Sequence, residues 1–165
     1  MPFKTFTVGS HVPLRFERYA RLSHPGEDGW LPRRVAVPLK PILLRHTPSG
    51  TSCWFGVWRG WGLTYQPDVP KTIYVDTGFR EWDLFKGCLD VMDRGFFLGL
   101  DVGANLVWPD DRSWFVATDI DLDRTYVGCS RNLLSDLLIE CRLDAVEVRA
   151  DDSSVVARTT TRRNE

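Results

Sequence analysis

The sequence predicts an α+β domain, a mostly antiparallel sheet packed on one face by helices near 38–46 and 131–142. Three stretches carry that expectation. Cys53-Trp-Phe-Gly-Val-Trp-Arg59 has the β-branched and aromatic make-up of a strand. Trp114 to Val127 reads as strand, acidic turn and strand. Leu133, Leu134, Leu137, Leu138 and Cys141 recur as on the buried face of an amphipathic helix.

Taken in order, residues 1–14 read as a loosely held arm, and Arg15–Leu22 as a half-buried strand that alternates Phe16, Ala20 and Leu22 with charged positions. Ser23–Gly29 is a loop by its proline and two glycines. Pro38 and Pro41 fit the first turn of a helix and no later part of it, which places the helix at 38–46 with Leu39, Ile42, Leu43 and His46 on one face. In 53–59, Trp54, Gly56 and Trp58 share one face, and Cys53, Phe55 and Val57 the other. Residues 66–79 are loop-like around a short strand at 72–75, a further strand follows at 80–85, and 86–103 matches no period. Trp114–Leu122 is the next strand, its Asp119, Asp121 and Asp123 forming a row on one face. Ser130 caps the second helix, 145–148 closes the sheet, and 151–165 reads as a disordered polar tail. The core domain is therefore expected to span 1–150.

The chain has 165 residues, 43% hydrophobic and 26% charged, and its net charge is −1, so no overall field favours nucleic acid or an anionic membrane. Charge is split, with eight Lys/Arg against three Asp/Glu in residues 1–50 and five against ten in 101–150. Either the two halves adjoin and balance each other, or they form a basic docking face. Cys53, Cys88, Cys129 and Cys141 form no CxxC pair or zinc spacing. The N-terminus lacks a signal-peptide core and no apolar run approaches a membrane span. A cytoplasmic protein with reduced, mostly buried thiols is expected.

Seven tryptophans are many for this length. Trp54, Trp58, Trp61 and Tyr65 suit either a stacking platform for sugars or bases or, more commonly, the inner face of a sheet under helices. With Trp108, the residues Trp58, Trp61 and Tyr65 are the binding candidates. Asp119-x-Asp121-x-Asp123 matches the start of a calcium loop, but Arg124 stands where glycine belongs and Ser130 where the bidentate glutamate belongs. A non-standard divalent-cation site is one reading; charge supplied by Arg124 or Arg112 is the other. Asp110, Asp111 and Arg112 suit either a catalytic acid with its partner or an ion-paired brace under two tryptophans. Cys129, ahead of a helix start, sits where a helix dipole would activate a thiol. His24 in its loop suits either catalysis or, more commonly, local solvation and hydrogen bonding, and His46 suits a helix C-terminus favoured by the dipole more than a ligand.

Four pieces, Tyr19-Ala-Arg-Leu-Ser-His-Pro25, Cys53–Gly62, Trp108-Pro-Asp-Asp-Arg-Ser-Trp114 and Thr118–Gly128, together resemble a family of uncharacterised actinobacterial proteins over most of residues 15–150. Members of that family usually continue Gly-Gly after Tyr-Val, where this chain has Gly128-Cys129. The resemblance implies a bacterial cytoplasmic protein and no particular reaction. With no complete catalytic constellation in view, the leading expectation is a non-enzymatic binding module of immunity or adaptor kind with a protein partner and no cofactor. The alternative is a hydrolase or carbohydrate-acting enzyme using the aspartates, with or without a divalent metal.

Overall fold

The computed structural model describes residues 6–65, 71–78 and 80–154. Eight strands form one antiparallel sheet: β1 (Arg18–Ser23), β2 (Cys53–Trp58), β3 (Lys71–Asp76), β4 (Glu81–Gly87), β5 (Leu106–Pro109), β6 (Phe115–Ala117), β7 (Arg124–Cys129) and β8 (Ala145–Val148). Their order is β3-β4-β2-β5-β6-β7-β1-β8. Helices α1 (Arg33–Arg45) and α2 (Arg131–Ile139) pack on one face, as the sequence predicts. Each joins strands that are not neighbours, α1 carrying the chain from β1 to β2 and α2 from β7 to β8.

The helical face holds the main core. Cys53, Phe55 and Val57 of β2, Phe85 of β4, Val107 of β5, Val116 of β6 and Val127 of β7 meet Leu39, Ile42 and Leu43 of α1 and Leu133, Leu134 and Leu137 of α2. Trp114, 0% exposed, closes one end of this core and donates its indole N–H to Thr47 Oγ1 at 2.9 Å. Ser130 caps α2 through Leu133 N at 3.2 Å.

Helix α1 begins about a turn and a half earlier than its prolines suggest, so Pro38 and Pro41 stand inside it. Each proline removes a donor to the carbonyl four residues back. Those carbonyls belong to Arg34 and Val37, both on the exposed side of the helix. The helix ends at Arg45. His46 lies just past the last turn, with Nε2 2.7 Å from Asp136 Oδ2 of α2.

Strand β6 stops at Ala117, and residues 119–122 turn, with Leu122 N donating to Asp119 O. The expected row of aspartates on a strand to Leu122 is therefore an acidic turn. A buried amide explains the early stop. Asn105 donates to Gly29 O at 2.6 Å and Thr118 O at 3.2 Å, and its Oδ1 accepts from Trp58 N. This pins the loop before α1 against the strand end. Gly29, at φ +92°, fits there because a Cβ would come within 2.8 Å of Ile120 O.

The N-terminal segment is not a loose arm where it is described. Val8 and Gly9 donate to Asp152 O and Ala150 O, and Ser154 N donates to Phe6 O. Val8 and Val12 are buried against Tyr19, Ala117 and Tyr126 on the helix-free face of the sheet. The physical reason is that β6, β7, β1 and β8 have an apolar second face that needs a cover. The same bonds order residues 151–154, where a disordered tail was expected; residues 1–5 and 155–165 lie outside the described residues. The charge split is also resolved, since Arg18–Glu147, Arg33–Asp101 and Arg45–Asp136 pair basic N-terminal with acidic C-terminal residues.

Gly128 sits beneath this segment, where a Cβ would collide with the Phe16 ring and approach Val12 Cγ1 to 2.7 Å. Gly128→Ala is expected to destabilise the domain by about 1–3 kcal/mol, through overpacking, as read by urea unfolding. An unchanged midpoint would show that the segment does not press on β7.

Candidate functional site

The alternation of β2 decides where the tryptophans go. Because Cys53, Phe55 and Val57 face the helices, Trp54 and Trp58 face the opposite side, correcting the expectation that they line the inner face. Strand register then sets Lys86, Trp54, Trp108 and Phe115 in one row across β4, β2, β5 and β6. Trp54 and Trp108 stack at 6.3 Å and 13°, and Trp108 and Phe115 at 5.4 Å and 16°. Lys86 Nζ lies 4.9 Å from the Trp54 ring centroid. Trp58 and Trp82 pair two repeats along the same face, beyond Gly56 and Leu84. All these aromatics are half-buried.

The four binding candidates do not form one site. Trp58 and Trp108 stand on the outer face, and Trp61 is wedged between Trp58 and Trp30. Tyr65 lies on the helical side, stacked on Phe97, and donates to Asp83 Oδ2 at 2.7 Å. Burial and that carboxylate push the Tyr65 hydroxyl pKa well above its ordinary value. The ladder rings also use their faces on one another, which leaves edges and not flat platforms for a ligand.

Asp110, Asp111 and Arg112 come out as a turn without an Asp110–Arg112 brace among the bonds of the described residues. Asp110 instead accepts from Lys86 Nζ at 2.9 Å and Trp54 Nε1 at 2.7 Å, and both hold its carboxyl below the usual range. Asp111 Oδ1 accepts from Ser113 N, and Arg112 adopts φ 57°. The order of charges in sequence suggested Arg112; the register of β4 beside β2 supplies Lys86.

Asp119, Asp121 and Asp123 diverge. Asp123 is held by Arg124 at 2.6 Å, and that hydrogen bond lowers its pKa. Asp121 is 78% exposed and meets Arg80 at 3.3 Å. Asp119 turns inward to Arg80 Nη2 at 2.8 Å and His11 Nδ1 at 3.1 Å. No group of three acidic, histidine or cysteine side chains placed to hold a metal occurs among the described residues. Arginines provide the charge that the carboxylates need, Arg80 coming from a distant part of the chain.

Cys129 is not an activated thiol. It is fully buried, and burial pushes its pKa up to about 12. Removal from water outweighs the helix start beside it. Two thiols are buried, Cys53 and Cys129, and two exposed, Cys88 and Cys141.

Sequence reasoning missed the polar centre of the N-terminal segment. His11 lies between Asp119 and Ser154, its Nε2 3.0 Å from Ser154 Oγ. The ring stacks on Tyr126 at 5.7 Å and 13°. Residues 11, 119 and 154 share no local motif; His11 lies in the stretch expected as a loosely held arm and Ser154 in the expected disordered tail. Two cavities of about 490 and 510 Å³ meet at this point, sharing Phe6, His11, Arg80 and Asp119. His24 plays a different part, buried with Nε2 3.0 Å from Thr125 Oγ1 and Nδ1 2.8 Å from Glu27 O.

Burial tends to raise the Asp119 pKa, but the His11 hydrogen bond and Arg80 charge outweigh it and hold it below the ordinary carboxylate value. A depressed folded value means that the stabilisation is complete above the unfolded value and is lost as pH falls through the folded one. Urea unfolding should therefore show part of the acid sensitivity below about pH 4 disappear in Asp119→Asn; an identical pH profile would contradict this. For the thiols, iodoacetamide at pH 8 should modify Cys88 and Cys141 in the folded protein, and all four cysteines only in denaturant. Rapid modification of Cys129 in the native state would overturn its placement.

Comparison of the chain with protein-family models, with curated proteins and with solved structures finds no match.

Proposed function

We propose that this chain is a binding domain whose helix-free sheet face, from β4 to β6, receives a protein partner. The observation that carries this reading is the half-exposed row Lys86, Trp54, Trp108 and Phe115, extended by Trp58 and Trp82. The N-terminal segment covers the same face over β6, β7, β1 and β8, and its buried contacts stop short of Trp54. Tryptophans concentrated on one open patch, with a lysine and an ion-paired aspartate at its edge, have the composition of an interface centre with a polar rim.

Ring orientation favours a protein over a sugar or a base. Sugars and bases are gripped by ring faces, and in the ladder those faces are spent on neighbouring rings. Ring edges and an aliphatic lysine stem suit side-chain packing. Of the aspartates put forward for hydrolysis, Asp110, Asp121 and Asp123 are each held by a basic partner, and Asp111 accepts from Ser113 N. No helix among the described residues is long and apolar enough to cross a membrane.

Pull-down from the native host with the tagged full chain should recover one protein in near-stoichiometric amount. Trp54→Ser, verified as folded by circular dichroism, should weaken the purified pair at least about tenfold, as loss of an interface anchor does. Ile139→Ser, on the exposed side of α2, should leave affinity unchanged. Equal affinity of wild type and Trp54→Ser, or a loss confined to Ile139→Ser, would move the interface off this face.

A further inference from the structure

Of the three histidines, only His11 stands between a carboxylate and a hydroxyl at the meeting of two cavities. His24 is locked in the core by Thr125 and Glu27, and His46 closes a helix end on Asp136. The three groups, His11, Asp119 and Ser154, come from the N-terminal segment, the acidic turn and the chain beyond β8. We propose that Ser154, His11 and Asp119 form a nucleophile, base and orienting carboxylate that cleave carboxylic esters from the groove beneath the N-terminal segment. This goes beyond partner binding and does not depend on it.

The direction of the hydrogen bonds follows from the groups themselves. Asp119, ionised beside Arg80, accepts only, so the 3.1 Å contact requires a proton on His11 Nδ1. The neutral imidazole then presents its Nε2 lone pair to Ser154 Oγ–H at 3.0 Å. That is the tautomer a general base needs, and it is set by Asp119 as in the serine–histidine–aspartate arrangement. Stacking on Tyr126 fixes the plane of the ring. Asp119 and Tyr126 are positioning residues; Ser154 and His11 touch the reacting atoms.

In the reaction, Ser154 Oγ forms a bond to the ester carbonyl carbon as its proton passes to His11 Nε2. The carbonyl π pair moves onto oxygen, and its return breaks the C–O bond to the alcohol. The departing alkoxide takes the proton from His11, leaving an acyl-Ser154. Water then attacks the acyl carbon, again giving its proton to His11, and Ser154 leaves with that proton. The products are a carboxylic acid and an alcohol, and no oxidant or further reactant is consumed.

The two cavities give the substrate its shape. The first has Phe6, Pro13, Trp82, Leu106 and Phe115 in its walls and suits an apolar acyl chain. The second contains Ser154 with Arg80, Arg124, Asp28, Asp121 and Asp123, and suits a polar, amine-bearing alcohol. Arg80 and Arg124 line the same cavity as Ser154 and would supply positive charge to the oxyanion. Ser154 is 1% exposed, and the groove is its route to substrate.

The full chain is tested with an alkyl fluorophosphonate, followed by peptide mass spectrometry, and with p-nitrophenyl butyrate as the ester. The folded protein should carry a single adduct on Ser154 that heat-unfolded protein does not. Ser154→Ala should abolish the adduct and lower hydrolysis about a thousandfold or more. His11→Gln retains a donor and an acceptor but no base, so it should preserve the melting temperature yet lose both labelling and hydrolysis. Absence of a Ser154 adduct in folded wild type, or hydrolysis retained by either variant, would reduce the trio to a hydrogen-bonded brace.

Discussion

A single eight-stranded sheet has two faces to keep from water, and among the described residues α-helices cover only one. Everything else in the structure follows from how the second face is handled. Strand β2 at the centre assigns the sides: three small or apolar residues meet α1 and α2, and two tryptophans are sent the other way. On β6, β7, β1 and β8 the outer face is closed by the N-terminal segment, which packs Val8, Val12 and Phe16 over Tyr19, Tyr126 and Gly128. On β4, β2 and β5 the described residues close it with the sheet's own side chains, the stacked Trp54 and Trp108 and, across Gly56, Leu84 and Leu106. Such stacking adds about 0.5–1.5 kcal/mol per pair beyond the area it buries, and it leaves ring edges in solvent.

The acidic turn between β6 and β7 joins these two regimes. From the helical side it is held by a buried polar chain. Asn105 bonds Thr118 O, Thr118 and Thr125 share a hydrogen bond of 2.7 Å, and Thr125 meets His24. From the outer side Arg80 and His11 reach Asp119. A turn fastened on both sides presents its carboxylates in set directions, which is why Asp119 points inward while Asp121 remains in solvent. It also explains how His11 comes to rest between Asp119 and Ser154. The segment that covers the sheet can close only where a polar contact ends its apolar run. The proposed partner face and the proposed ester-cleaving groove lie on one surface and share Trp82 and Phe115.

Legibility in the sequence tracked locality. Strand β2, helix α2 with its Ser130 cap, β8 and the layering of helices on an antiparallel sheet are all carried by neighbouring residues and their periods. The start of α1 was hidden because Pro38 and Pro41 stand inside the helix, where local rules disfavour proline, with Arg34 and Val37 four residues before them on its exposed side. Which face of β2 is covered was also unreadable, since alternation separates Trp54 from Phe55 without saying which meets the helices. Charge partners were misassigned for the same reason: Arg112 neighbours Asp110 in sequence, but Lys86 neighbours it across the sheet. The His11 centre joins positions more than a hundred residues apart, 11 with 119 and 11 with 154, and no spacing rule reaches that far.

The central claim is that the tryptophans are divided between a dry core and an open outer face. Hydroxyl-radical footprinting of the native chain, read by mass spectrometry at each tryptophan, tests it most directly. Trp54, Trp58, Trp82 and Trp108 should be oxidised many times faster than Trp114, whose ring is 0% exposed and bonded to Thr47. If Trp54 and Trp108 are instead as protected as Trp114, the outer face is covered in the isolated protein, and the assignment of a partner surface there fails.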